Sequence, residues 1–184
     1  MCPFSRSPYQ WVSGDEEGVC RVVDTRRHPS TLLCLRSSRS VSCVRTSPDD
    51  SLLVIGDHSC LQLFDLRQRK LLSRFVHSTS GVSFHPAERL MSTWSNDGLV
   101  RFWDLDSLEC VSQSEPLHEN VHDAFFSQSG DSLLVVCDSR LRSLSWEPCT
   151  LDWHYPLSSS PSRILYSSLD DNECLGVVKA DNTT

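Results

Sequence analysis

No run of Leu, Ile and Val in these 184 residues exceeds four; Leu52–Ile55 and Leu133–Val136 are the longest. A bilayer-spanning helix needs about 20 apolar residues in a row, so no membrane segment is expected. No charged start leads into a long apolar core, so no secretory leader is expected either. Basic charge is also in short supply: 17 Lys and Arg against 24 Asp and Glu leave a net charge of −7. Nucleic-acid binders usually carry a basic face, and that partner class is not expected. Nine cysteines stand at 2, 20, 34, 43, 60, 110, 137, 149 and 174, an odd count with no C-x-x-C pair. Neither a disulfide framework nor a tetrahedral zinc site is expected from such spacing. Cys20, Cys43, Cys60 and Cys137 sit inside apolar strand patterns, where thiols act as small hydrophobes, and a reducing cytoplasm is the expected compartment. G-x-S-x-G, H-E-x-x-H and Walker sequences are all missing. The chain therefore reads as a non-enzyme with no catalytic residues, no metal and no cofactor.

What is present is a repeat. A bulky residue followed by an acid closes four strand-like stretches: Val23-Asp24, Phe64-Asp65, Trp103-Asp104 and Trp146-Glu147. The acids lie 41, 39 and 43 residues apart, and WD-type propeller blades repeat every ~40–45 residues. A turn precedes each of these strands: Asp15–Gly18, Gly56–Ser59, Ser95–Gly98 and Cys137–Arg140. Gly, Asn and Asp suit the backbone angles of hairpin turns. An earlier turn keeps the same rhythm at Thr46–Asp50, Phe84–Ala87 and Phe126–Gly130. Between the turns lie short apolar or alternating stretches, with no helical period over twelve or more residues.

The predicted fold is all-β, an incomplete WD-repeat β-propeller of about four blades plus a partial fifth. Residues 1–10 read as an N-terminal arm. The blades fall at roughly 11–40, 41–78, 79–119 and 120–157, and 158–184 form a partial blade or tail. The first repeat reads as lacking its inner strand. Arg163–Leu169 and Cys174–Lys179 offer two further strands, and Ser158–Ser162 a loop. An arc of blades leaves strand edges and end faces open, so self-association is expected.

From Phe84-His85-Pro86 through Arg101-Phe102-Trp103-Asp104-Leu105 and Val111-Ser112 to Trp146-Glu147-Pro148, the chain resembles the regulatory WD-repeat subunit of katanin, the microtubule-severing complex, in a truncated and divergent form. The blade running from Arg45-Thr46-Ser47-Pro48-Asp49 to Phe64-Asp65-Leu66 is also similar. The resemblance implies a cytoplasmic, cytoskeleton-associated scaffold. It would bind protein partners, among them the catalytic AAA ATPase subunit or microtubule-associated proteins. A counterpart of the helical domain by which that family grips the ATPase is not expected in these residues. At −7 the chain is not steered electrostatically to acidic tubulin; only the basic stretch Arg67, Arg69, Lys70 and Arg74 argues the other way.

WD repeats in general carry a buried hydrogen-bond chain, and His77, Thr93, Asp97 and Trp103 match its slots in one blade. There Asp97 would orient the His77 ring, Thr93 would bridge, and the Trp103 N–H would find its acceptor. Val23 and Phe64 stand where other blades would have Trp, and His58 where a turn Asp would be. His77 with Asp97 can also be drawn as a hydrolase dyad, and Cys60 or Cys137 as a nucleophile; blade-locking and strand roles are the plainer readings. Val23-Asp24-Thr25-Arg26 and Phe64-Asp65-Leu66-Arg67 share the form bulky-Asp-x-Arg. That form is similar to the motif by which some WD proteins dock on the adaptor of cullin-RING ubiquitin ligases, through an Arg fork held at a strand end. An Arg paired with its own turn is the other reading. Arg26, Arg67, Arg69 and Lys70 are thus the candidate partner-binding residues, and a cullin-ligase substrate receptor is the alternative function.

Overall fold

The computed structural model describes residues 2–157, and the backbone alone of 163–169 and 172–178. Strands and turns make up the described chain. Four antiparallel sheets of four strands follow one another. The first holds β1 (Cys2–Pro3), β2 (Gln10–Gly14), β3 (Val19–Asp24) and β4 (Thr31–Arg36). The second holds β5 (Val41–Thr46), β6 (Leu52–Asp57), β7 (Leu61–Asp65) and β8 (Lys70–Phe75). The third holds β9 (Gly81–Phe84), β10 (Leu90–Trp94), β11 (Val100–Asp104) and β12 (Cys110–Gln113). The fourth holds β13 (Val121–Phe126), β14 (Leu133–Cys137), β15 (Arg140–Trp146) and β16 (Cys149–Pro156). A hairpin of β17 (Arg163–Leu169) and β18 (Asn172–Val178) pairs separately. The arrangement is a β-propeller arc of four blades, each a simple meander.

The short apolar runs explain how the blades stack. Along a strand, side chains alternate between faces, and a central strand with a blade on either side must be apolar on both. In β6, Leu53 and Ile55 pack toward the first blade with Val12, Cys20 and Val22. Leu52 and Val54 point the other way, to Val82 and Met91 of the third blade. In β14, Leu133, Val135 and Cys137 meet Trp94, Val100 and Phe102 across the next seam. The first strands of successive blades lie inside, β1 against β5, β5 against β9 and β9 against β13.

Three readings of the sequence change. The first blade has its inner strand: Cys2 and Pro3 pair with Val12 and Trp11, so the described residues 2–10 of the expected arm are part of the blade. Two residues carry no visible period, which is why the strand escapes a pattern search. The strand expected at Cys174–Lys179 is Asn172–Val178, and the loop expected at Ser158–Ser162 lies outside the described residues. The third change concerns phase. Asp65 and Asp104 stand opposite Leu52 and Leu90, and both of those residues follow the turn by accepting its N–H from Ser47 and His85. In the fourth blade Ser132 accepts from Ser127 in the same way. Leu133 pairs with Leu144, which places Leu144-Ser145, not Trp146-Glu147, in the slots of Phe64-Asp65 and Trp103-Asp104. The spacings of these slots at 24, 65, 104 and 145 are then 41, 39 and 41 residues. Trp146 takes the place of Leu66 and Leu105, the first residue of the turn, and packs on the core of the seam between the third and fourth blades.

Candidate functional site

In the third blade, Trp103 Nε1–H donates to Thr93 Oγ1 at 2.9 Å. Thr93 Oγ1 lies 3.3 Å from His77 Nε2. The imidazole stacks on the indole with ring centroids 5.1 Å apart and planes 18° from parallel. Burial, with help from the nearby Arg101 charge, lowers the His77 pKa to about 4, so the ring is neutral near pH 7. A neutral ring leaves Nε2 free to accept the Thr93 hydroxyl proton. Asp97 does not orient His77. Its carboxylate bonds to Ser95 Oγ, to Leu99 N at 3.0 Å and to Arg101 at 2.7 Å, closing its own hairpin turn. The His77–Asp97 pair therefore has no dyad geometry.

The other blades fasten the same places with different chemistry. In the second blade the turn acid is Asp57; His58 is exposed beside it. Asp57 is fully buried. It accepts from Ser37 Oγ at 2.6 Å, Ser59 N at 2.7 Å, Ser59 Oγ at 2.8 Å and Cys60 N at 2.7 Å. Burial pushes this carboxyl up, but the donors, Ser37 foremost, outweigh it and hold the pKa well below the usual carboxylate range. In the fourth blade Arg142 spans the gap, donating to Leu117 O at 3.0 Å and to Glu119 at 2.9 Å. Each device ties the segment entering a blade to that blade's middle hairpin.

The strand-end acids have a local task that explains their period. Asp65 accepts the N–H groups of Arg67 and Gln68, both at 2.7 Å. Asp104 does the same for Asp106 at 2.9 Å and Ser107 at 2.6 Å. Asp24, buried, accepts from the Arg26 backbone at 3.0 Å and from its guanidinium at 3.1 and 2.9 Å. Turn formation needs such an acceptor. Arg26, the leading cause of the depressed Asp24 pKa, also lies over the Tyr9 ring at 4.9 Å. It is engaged by its own turn. Arg67 differs: it reaches only Asp49, at 4.0 Å, and its side chain is 72% exposed. Arg69 holds a left-handed backbone, φ 54°, in the same turn, and Lys70 opens β8. Thus Arg67, Arg69 and Lys70 lie together, and Arg26 stands apart on the first blade.

Of the thiols considered as nucleophiles, Cys137 ends β14, whereas Cys60, expected in a strand, lies in the turn before β7, where its N–H donates to Asp57. Cys60 and Cys137 are buried, and burial pushes the Cys137 pKa up to about 11. Among the described residues no group of three His, Cys, Asp or Glu side chains is placed to hold a metal ion. The sequence reading missed the contact that His85 makes across the third seam. Its Nδ1 accepts the Glu88 N–H at 2.7 Å, so its other nitrogen carries the proton and donates to Gly130 O at 3.1 Å. Trp146 Nε1 donates to the same carbonyl at 3.2 Å. The Phe84-His85-Pro86 and Gly130 turns, a blade apart, are the trace of it in the sequence. A cavity of about 390 Å³ opens beside Trp146, between the third blade and the β15–β16 turn, lined by Glu88, Arg89, Asp104, Asp106 and Glu147 among others.

This geometry defines a WD-repeat type of β-propeller. No family model matches the chain. It is similar to the guanine nucleotide-binding protein subunit beta-like protein of Encephalitozoon cuniculi, at 29% identity over 114 residues, covering 57% of this chain and 34% of that protein. It is also similar to the U3 small nucleolar RNA-associated protein 18 homolog of Drosophila melanogaster, at 26% identity over 145 residues, covering 72% of this chain and 26% of that protein. The chain thus spans well under half the length of either curated relative. A chain in the crystal structure of the mitotic checkpoint complex superposes with a TM-score of 0.78 at 17% identity, covering 95% of this chain and 61% of that one. Fold and similarity support a WD-repeat β-propeller; they do not single out the katanin subunit.

Proposed function

We propose that the chain is a non-catalytic scaffold whose blade edges and turns bind protein partners. One observation carries this: the polar groups that chemistry would need are occupied in fastening blades. His77 is neutral and bonded to Thr93, and Asp57 is enclosed by donors. The finer reading is a katanin-type scaffold in the cytoplasm, acting on the microtubule cytoskeleton. Its support is the resemblance of residues Arg101–Leu105 and Trp146–Pro148. Against the cullin-adaptor alternative, the two arginines it requires are unlike: Arg26 is folded onto Asp24, while Arg67 is free to turn outward.

Affinity purification from cells followed by mass spectrometry separates these readings, using wild type and the double variant Arg26→Ala, Arg67→Ala. Recovery of the severing ATPase or tubulin by both proteins supports the katanin-type scaffold. A cullin adaptor recovered by wild type and lost in the variant supports the alternative. Chaperones alone with wild type would sink the scaffold reading.

A further inference from the structure

We infer that the outer edge of the second blade, β8 with the turn before it, docks an extended acidic segment of a partner protein. The inference rests on the scaffold reading and gives its partner a chemistry.

The sheet order leaves β8 paired on one side only, with β7. Its other edge presents backbone N–H and C=O groups to solvent. From Leu66 to Val76 the chain carries Arg67, Arg69, Lys70 and Arg74 and no acid, in a protein of net charge −7. Lys70, Leu71, Leu72 and Arg74 are all exposed, and Val76 is 86% exposed. Arg67 reaches Asp49 only at 4.0 Å; among the described residues Arg69, Lys70 and Arg74 have no ion-pair partner.

Edge strands often carry a cation to discourage pairing with other chains. The remaining outer strands carry fewer cations. β4 has one cation, Arg36, and β12 and β16 have no Lys or Arg. β8 alone has two, Lys70 and Arg74. Its turn adds Arg67 and Arg69, whereas Arg26 and Arg27 in the turn before β4 are paired with Asp24. Three exposed apolar side chains lie among the cations of β8 and its turn. A partner that uses everything on this edge is a polypeptide: carboxylates for the cations, apolar side chains for Leu71, Leu72 and Val76, and backbone for the open strand. A nucleic acid or a lipid headgroup would meet the cations and leave the apolar groups in water.

The test is fluorescence anisotropy with a labelled peptide of alternating Glu and Val on the whole chain. One variant reverses the edge: Arg69→Glu, Lys70→Glu, Arg74→Glu. A control, Arg6→Glu, Arg36→Glu, Arg39→Glu, makes the same change in net charge at exposed positions elsewhere. The edge variant is expected to bind at least about tenfold more weakly, because close charge pairs are replaced by like charges. The control is expected to stay near wild type, and wild-type binding to weaken as salt rises from about 0.05 to 0.3 M. Equal weakening in both variants, or none in either, overturns the proposal. So does a single-stranded RNA or a phosphatidylserine vesicle that binds more tightly than the peptide and is lost with the edge variant. If partners captured from cells by wild type are all retained by the edge variant, the proposal falls while the scaffold reading stands.

Discussion

At the scale of single residues, this blade arc replaces one repeated device with several unlike ones. Only the third of the described blades has the indole, hydroxyl and imidazole in line. Elsewhere the equivalent of Trp103 is Val23, Phe64 or Leu144, none of which donates. In the second and fourth blades a buried carboxylate and a buried guanidinium do the fastening. His77, the histidine fastening the third blade, makes stability sensitive to acid. Its pKa is lowered from 6.5 to about 4 on folding, so the unfolded chain takes up its proton first. The stabilisation is complete above pH 6.5, declines as pH falls and is lost once pH drops through about 4. Discounted for the partial exposure of the ring, the loss amounts to about 1–2 kcal/mol. Asp49, held at about 2 mainly by Ser47 and Ser51 against the opposing effect of burial, extends the decline below pH 4. Urea unfolding of wild type and His77→Gln across pH 7.5 to 4.5 isolates the histidine. The wild-type midpoint is expected to fall more steeply than that of the variant; parallel curves would show that His77 titrates alike in both states.

At the scale of elements, the decisive contacts lie where a turn of one blade meets the ring system of the next. Gly130 has φ 89°, and a Cβ there would lie 2.1 Å from His85 Nε2. Its carbonyl accepts hydrogen bonds from both His85 and Trp146. Gly130→Ala combines left-handed strain with a clash against a buried ring, together about 2–4 kcal/mol. Gly98 makes a useful contrast: φ is 73°, but the nearest atom to an added Cβ is 3.5 Å away. Gly98→Ala is expected to cost only about 1 kcal/mol. Thermal melts of the two variants test the difference, and equal losses would remove the His85–Gly130–Trp146 contact from the account. These elements also show what can be read from sequence. The rhythm of the blades is legible because each strand-end acid has a local duty, capping a turn with N–H groups at fixed offsets. The two-faced runs Leu52–Ile55 and Leu133–Val136 are legible because both faces of a middle strand meet another blade. The phase of the fourth blade is not: Trp146-Glu147 mimics the motif, and only strand pairing shows that Leu144-Ser145 holds the slot. Asp57 is likewise hidden beside His58, because choosing between neighbours requires knowing which one the fold buries.

At the scale of the whole molecule, the outermost strands decide what the arc meets. The fourth blade ends in β16, eight residues long and exposed from Thr150 to Pro156. It has no Lys or Arg, and it presents Leu151, Trp153 and Tyr155 to solvent. Trp153 and Tyr155 stand opposite Ser143 and Leu141, which places both aromatics on one face of the sheet beyond the last regular pairs. The one acid of β16 is Asp152, and edge strands this rich in exposed apolar groups and this poor in charge are templates for pairing with other chains. A solution of the whole chain is therefore expected to associate as concentration rises, and Trp153→Lys, which puts a cation on the edge and removes an aromatic, is expected to reverse this. The substitution sits at an exposed position, so it should change the melting temperature little. Sedimentation velocity gives the answer directly. A wild type that stays at its 20.8 kDa monomer mass at every concentration would mean that the bulge shifting the β15–β16 register between Ser143 and Leu144 twists this edge enough to protect it. Association that persists unchanged in Trp153→Lys would move the contact to another surface. The exposed Trp11 and Tyr9 of the first blade are then the groups to substitute next.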